Sequence, residues 1–358
     1  MENKSKKSEM KKNTEKRIVV LYSALAPYFV ESINYLVENY SVEILLFSYP
    51  QNALAPFKFD LDNRIKYIQN EKITKNEIFH TVSNFKPDLI YVTGWNDNKY
   101  RFVAEKYVKS VPVVMGLDGF FQYKIKQILF LSISQFFLKR YFNIIWACGS
   151  RQFHYARLLG YKDDEIILGL YSSGLQEFVE HMEKVSITKE IVFAGRLVSY
   201  KYFKQFYRAF MEINETLTDK WILKVTGRGP DSKVIKENEH VIFEDFMQPQ
   251  ELSAFVKNSA VFCLPSISEN WGVTVHDFAL LGKTLFVSSE VAAGDEFVIH
   301  KYNGYVFKSN DFSSLKFWLE KLLTEDLDKH EIMGKRSKSL ASRNNFDLWS
   351  ARLMSKIT

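Results

Sequence analysis

Cysteine, proline and glycine are scarce in this sequence, and it has no long apolar run. Its 358 residues include Cys 2, Pro 8 and Gly 15. Cys148 and Cys263 both lie inside apolar runs, as buried thiols do, so no disulfide framework is implied and a reducing compartment is expected. No stretch approaches the ~20 apolar residues of a membrane span. Residues 19–26 have the look of a short signal-peptide core, but Tyr22 and Ser23 interrupt them and three Glu precede them, so an opening strand is the better reading. What the chain does have is apolar material, with 46% hydrophobic and 15% aromatic residues. That is enough for two packed cores, and a prior of one domain per ~150 residues also gives two.

The net charge is +6, and much of it comes from Lys4, Lys6, Lys7, Lys11, Lys12, Lys16 and Arg17. Residues 1–16 read as a solvated, disordered basic tail, the functional alternative being attraction to anionic lipid or nucleic acid. Strand patterns at 17–23, 42–48, 89–93, 111–115 and 144–148 alternate with helical patterns at 27–38, 78–84, 98–109 and 151–159. Charge density rises and the strand pattern lapses over 176–189, where the linker is expected. A second set follows, with strands at 191–194, 221–226, 241–244 and 260–264 and helices at 201–213, 250–257, 311–323 and 329–341. Parallel neighbours need helical crossovers, so the alternation predicts an α/β protein of two doubly wound, Rossmann-like domains. We expect the first at 17–178, the second at 179–342, and an amphipathic final segment, 343–358, crossing back to the first. Residues 122–141 are rich in Ile, Leu and Phe with Lys124, Lys126, Lys139 and Arg140 at the ends. Two placements fit them: a core helix of the sheet, or an interfacial helix with lysines at lipid phosphates.

The most informative stretch is 262–289, read as strand, loop, helix and strand. Ligands of open α/β sheets bind beyond the carboxyl ends of strands, which places Ser266, Ser268 and Glu269 at an expected site. Asp277 follows Glu269 by eight residues, a spacing that lets both carboxylates face one ligand. Earlier, Gly195 permits a sharp turn, Arg196 offers a planar fork for phosphate oxygens, and Lys201 adds a compact positive charge near a helix start. Together these three form a diphosphate cradle. Gly227 and Gly229 punctuate a turn after the 221–226 strand.

These motifs resemble glycosyltransferase family 4, the retaining enzymes of the GT-B fold and the group 1 domain. The likeness lies in Pro265-Ser266 with Glu269, Gly272 and Asp277, in Gly195-Arg196-Leu197 with Lys201, in Gly227-Arg228-Gly229-Pro230, and in the Gly294 and Asn303-Gly304 turns. It covers roughly residues 190–310. Three departures stand out: Asp277 where Glu is usual, Tyr202 where Gly is usual, and Ala24-Leu25-Ala26-Pro27 in place of a glycine-rich loop. The resemblance implies two domains facing across a cleft and a nucleotide-sugar donor, most plainly a UDP-sugar. It implies Arg196, Lys201 and Glu269 as catalytic residues. Donor contacts would come from Gly195, Arg196, Lys201, Gly227, Ser268, Glu269, Asn270, Trp271, Gly272, Val273 and Asp277.

In the first domain, Trp95 and Asp118 are the acceptor candidates, on loops after strands. The expected acceptor is a glycan or lipid-linked glycan of bacterial surface polysaccharide, such as lipopolysaccharide or capsule. The enzyme would be cytoplasmic, peripheral at the inner face of the membrane, with no nucleic-acid partner. No cofactor and no metal are expected. The Asp60-Leu61-Asp62 sequence has the form of a manganese site but lacks a strong strand before it, and Arg196 with Lys201 would already neutralise a diphosphate. His276 and His154 read as structural. A nucleotide-sugar epimerase would need acid/base carboxylates that do not appear. A GT-B subunit that binds donor without turnover is the rival reading.

Overall fold

The computed structural model describes residues 15–176 and 186–357. The basic tail through residue 14 and most of the expected linker, 177–185, lie outside the described residues.

Two parallel sheets carry the fold. The first contains β1 (Lys16–Ala24), β2 (Val42–Tyr49), β3 (Ile65–Gln69), β4 (Leu89–Val92), β5 (Val113–Leu117), β6 (Ile144–Ala147) and β7 (Ile166–Leu168). Its strand order is β3-β2-β1-β4-β5-β6-β7. The second contains β8 (Thr188–Ala194), β9 (Ile222–Thr226), β10 (Val241–Glu244), β11 (Ser259–Leu264), β12 (Thr284–Ser288) and β13 (Gly304–Phe307), in the order β10-β9-β8-β11-β12-β13. Every pairing between these strands is parallel. Central strands covered on both faces must be apolar throughout, and Ile18, Val19, Val20 and Leu21 of β1 are all buried. The order reverses between β1 and β4 and again between β8 and β11, and at each reversal a crevice opens beyond the carboxyl ends of the strands.

The crossovers on the first sheet are α1 (Pro27–Asn39), α2 (Lys75–Phe85), α3 (Asn98–Tyr107), α4 (Ile125–Lys139) and α5 (Ser150–Leu158). Their starts follow local chemistry: Pro27 opens α1, Thr74 and Glu77 form a capping box for α2, and the Asp97 carboxylate accepts from Lys99 N and Tyr100 N to start α3. On the second sheet lie α6 (Phe203–Asn214), α7 (Pro249–Phe255), α8 (Val273–Leu280), α9 (Gly294–Phe297), α10 (Phe312–Leu323) and α11 (Leu327–Ala341). The last helix, α12 (Phe346–Met354), packs on α1 of the first sheet. There Trp349 Nε1 donates to Leu170 O at 2.8 Å, and its ring lies 4.9 Å from that of Trp146.

Of the two placements for 122–141, the sheet helix holds for one face, with Phe130, Leu131, Phe137 and Leu138 against the first-sheet core. Only Ser134 and Leu138 of α4 are buried, while Ile125, Leu129 and Phe136 face solvent. His276 belongs to the core: it is buried, its Nε2 meets Ala341 O at 3.0 Å, and its ring stacks on Phe297. Burial pushes its pKa down to about 4. His154 is an exposed residue of α5.

Candidate functional site

The site is built from loops at the carboxyl ends of both sheets. The turn after β8 carries Gly195 and Arg196, and a single 3₁₀ turn, Ser199–Lys201, brings Lys201 inward. Tyr202 then takes a left-handed backbone (φ 57°, ψ 24°) and caps α6. That conformation suits glycine, which is the physical reason glycine is usual after the lysine. The turn after β9 packs directly on the turn after β8. A Cβ at Gly227, where φ is +136°, would lie 2.0 Å from Gly195 O, so no side chain fits there. Gly272 (φ +95°) turns the loop after β11 into α8.

The Lys201 ammonium donates to Glu269 Oε2, and Ser266 Oγ donates to the same oxygen at 3.0 Å. The ion pair is largely buried, with side-chain exposures of 9% and 15%. It joins residues 68 positions apart. The Arg196 guanidinium has no carboxylate partner among the described residues and lies 5.7 Å from the centre of the Tyr200 ring.

Two cavities meet at Lys201, and a third adjoins the second. One, about 340 Å³, holds Gly195, Arg196, Lys201, Gly227, Val273 and Asp277, with Phe57, Phe246 and Leu252 as its apolar wall. A second, about 570 Å³, holds Arg196, Tyr200, Lys201 and the run 268–274, so Ser268, Glu269, Asn270, Trp271, Gly272 and Val273 share it. Arg196, Lys201, Val273, Thr274 and Tyr28 line both. The third, about 360 Å³, belongs to the first sheet and includes Ser23, Trp95, Asp97, Tyr100 and Gly119. Asp118 and Asn270 line the second and third cavities alike and mark their junction. Asp118 is solvent-accessible at the mouth of this cleft. Desolvation there, with the Glu269 charge added, raises its carboxyl pKa.

Asp277 and Glu269 line adjoining cavities that share Arg196, Lys201 and Val273. Asp277 lines the first cavity only, and its Oδ1 accepts from Ser173 Oγ at 2.5 Å and Gly174 N at 3.2 Å, groups that precede the second sheet. Burial raises its pKa to about 7, partly offset by those two hydrogen bonds. The Asp60-Leu61-Asp62 stretch lies apart from these cavities, and the Asp62 carboxylate is held by Arg64 Nε at 2.7 Å and Arg64 Nη2 at 2.5 Å.

Gln152, Arg151 and Gln248, which belong to no sequence motif, hold the two sheets around the cleft together with Trp271. Gln152 Nε2 donates to Asp118 O at 2.8 Å and to Asn270 O at 2.7 Å, joining one loop from each sheet. The Arg151 guanidinium chelates Asp295 at 2.5 and 2.7 Å, and Ser150 N donates to Glu296 Oε1 at 2.8 Å. Trp271 presses on Gly149, where a Cβ would come within 2.6 Å of the indole. Across the opposite edge, Gln248 bonds Pro56 O at 3.1 Å and Lys58 N at 3.1 Å. Glutamine on a helix carries no motif, so only the fold identifies Gln152.

Comparison with known proteins agrees with this architecture. Residues 177–340 match the family model described as glycosyl transferases group 1. An uncharacterized glycosyltransferase of Methanocaldococcus jannaschii is 27% identical over 170 residues, which is 45% of this chain and 43% of that protein. The chain thus spans about two fifths of the length of the curated relatives it matches. Among solved structures, a glycosyltransferase of Rickettsia africae superposes with a TM-score of 0.72 at 12% identity, covering 96% of this chain and 97% of the other. Anabaena HepE in complex with UDP and glucose superposes with a TM-score of 0.67 at 13% identity, covering 95% and 98%. The chain therefore has the GT-B fold, and its residues 177–340 match the glycosyl transferases group 1 family model.

Proposed function

We propose that this chain is a retaining, metal-independent glycosyltransferase resembling family 4. It would move a hexosyl or N-acetylhexosaminyl group from a UDP-sugar to a glycan or lipid-linked glycan of bacterial surface polysaccharide. The observation that carries the reading is the buried Lys201–Glu269 pair, Lys201 lining both the first and second cavities and Glu269 the second, with Arg196 uncommitted beside it. A diphosphate placed there meets two fixed cations, which stabilise the charge that grows on the leaving group. Glu269 positions the sugar in the second cavity, and Asp277 offers its Oδ2 to the ribose in the first. The apolar wall of Phe57, Phe246 and Leu252 suits a base. Asp118, at the junction with the third cavity, orients the acceptor hydroxyl, and Trp95 offers a face to a sugar ring. The leaving phosphate takes the hydroxyl proton. The UDP assignment draws on the likeness to HepE, which was solved with UDP and glucose.

The test is sugar transfer followed by mass spectrometry, with UDP-, GDP- and ADP-sugars, membrane lipid extract as acceptor, and EDTA present. Product that requires one donor and vanishes in Arg196→Ala and Glu269→Gln supports the reading. A second reading, a donor-binding subunit without turnover, is favoured by Tyr202 and by the engagement of Asp277 Oδ1. It predicts tight donor binding, no transfer or donor hydrolysis, and no effect of Glu269→Gln on the activity of a complex.

A further inference from the structure

Helix α4 is apolar on every side, a pattern that ordinarily means burial on every side. Its inner face, Phe130, Leu131, Ser134, Phe137 and Leu138, packs on the core of the first sheet. Its outer face does not. Ile125, Ile128, Leu129, Ile133 and Phe136 recur at i, i+3, i+4, i+8 and i+11, one stripe of a 3.6-residue helix. They are 76%, 50%, 68%, 56% and 75% exposed. An apolar stripe of this kind, contiguous along the helix and not scattered, marks a contact surface.

Charge decides which contact. Residues 119–162 contain no Asp or Glu but seven Lys and Arg, of which Lys139, Arg140, Arg151 and Arg157 pair with Glu165, Glu105, Asp295 and Asp163 from outside the segment. Lys124 and Lys126 stand one residue to either side of Ile125, about 100° away on each flank, exposed and without an ion pair among the described residues. A two-fold pairing with the helices parallel would set Lys124 and Lys126 against their own copies, and one with the helices antiparallel offers them no carboxylate of α4. An anionic lipid surface instead offers hydrocarbon to the stripe and phosphates to the lysines. The position fits too: the Phe130 ring of α4 lies 6.1 Å from the Trp95 ring, and Trp95 lines the third cavity.

We propose that α4 docks this protein on an anionic membrane surface through Ile125, Ile128, Leu129, Ile133 and Phe136, flanked by Lys124 and Lys126. In this arrangement the third cavity opens beside the bilayer. The docking deepens the lipid-linked acceptor reading but does not require turnover. The experiment is flotation of the whole protein with vesicles of phosphatidylcholine alone and with vesicles containing roughly 30 mol % phosphatidylglycerol. Binding is expected to the anionic vesicles and to weaken as salt rises. Leu129→Asp with Phe136→Asp should reduce binding by roughly tenfold or more. Lys124→Glu with Lys126→Glu should abolish the preference for anionic vesicles. All four positions are exposed, so circular dichroism and donor binding should match wild type.

Wild-type protein that stays unbound at low salt, or an aspartate variant that floats like wild type, overturns the proposal. So does a dimer in sedimentation that Leu129→Asp dissolves, which would assign the stripe to a second copy. Protein that floats yet transfers no sugar leaves the docking intact and refutes the transferase reading instead.

Discussion

Asp277→Asn should make this protein more stable and a poorer donor binder at the same time. Burial lifts the Asp277 carboxyl from its ordinary 3.8 to about 7. Below the ordinary value both folded and unfolded chains hold the proton, and the group contributes nothing. Between that value and about 7 the unfolded chain releases the proton while the folded chain keeps it, so stability falls as pH rises. Above about 7 the penalty is complete and constant. The full shift would correspond to roughly 4 kcal/mol, but Asp277 borders a cavity that admits water, so about 1–2 kcal/mol is the expected size. Asparagine avoids the penalty and can still accept from Ser173 Oγ and Gly174 N through its carbonyl oxygen. Thermal melts should show Tm higher by about 2–4 °C near pH 8 and by clearly less near pH 5. Titration calorimetry with the donor should show affinity lower by roughly 10- to 100-fold, since a charge-assisted hydrogen bond to the ribose is lost. Equal Tm changes at the two pH values would refute the burial argument. Unchanged donor affinity would refute the ribose contact.

Lys201→Ala removes one phosphate-facing cation and strands Glu269, so kcat for transfer should fall by roughly 10²–10³ while circular dichroism stays native. Gly227→Ala drives a methyl to 2.0 Å from Gly195 O, which should cost at least ~3 kcal/mol and lower Tm measurably. Trp95→Ala should raise the acceptor KM by roughly tenfold and leave donor affinity unchanged, because only the third cavity loses a wall. Arg151→Ala frees Asp295 and loosens one tie across the cleft; small-angle scattering of the free protein should then show a larger radius of gyration.

Much of the architecture could be read from periodicity because the central strands are buried on both faces and stand out as β-branched runs. The residues that gather at the first two cavities were legible for a similar reason. Gly195, Arg196, Lys201 and Glu269 belong to short stretches in which a turn, a helix start and a charge occur together. What could not be read is contact between distant stretches. Nothing in 171–176 signals that Ser173 and Gly174 will engage Asp277, and nothing in α5 distinguishes Gln152 from a surface glutamine. Helix α4 resisted for another reason: with apolar residues on both faces, the pattern reports hydrophobicity but not which side meets the sheet.

The three departures from the family pattern have different physical consequences. Tyr202 keeps the left-handed backbone that glycine would adopt freely, and burial of its ring offsets the strain. The loop at 24–27 lacks glycine, but Gly174 approaches it from the other side, where a Cβ would lie 2.9 Å from Pro27 Cβ and 3.0 Å from Tyr28 N. Gly174 N also donates to Asp277. A single glycine thus meets both the start of α1 and the acidic residue of α8, and a side chain there would push the two apart. Two departures that look independent along the chain, the missing loop glycine and the shortened carboxylate, share one contact in space. The glycine-poor loop is therefore not by itself a sign of lost donor binding. The Asp277 side of the first cavity stands or falls with the Gly174–Asp277 contact, and measurements on Asp277 bear on the loop as well.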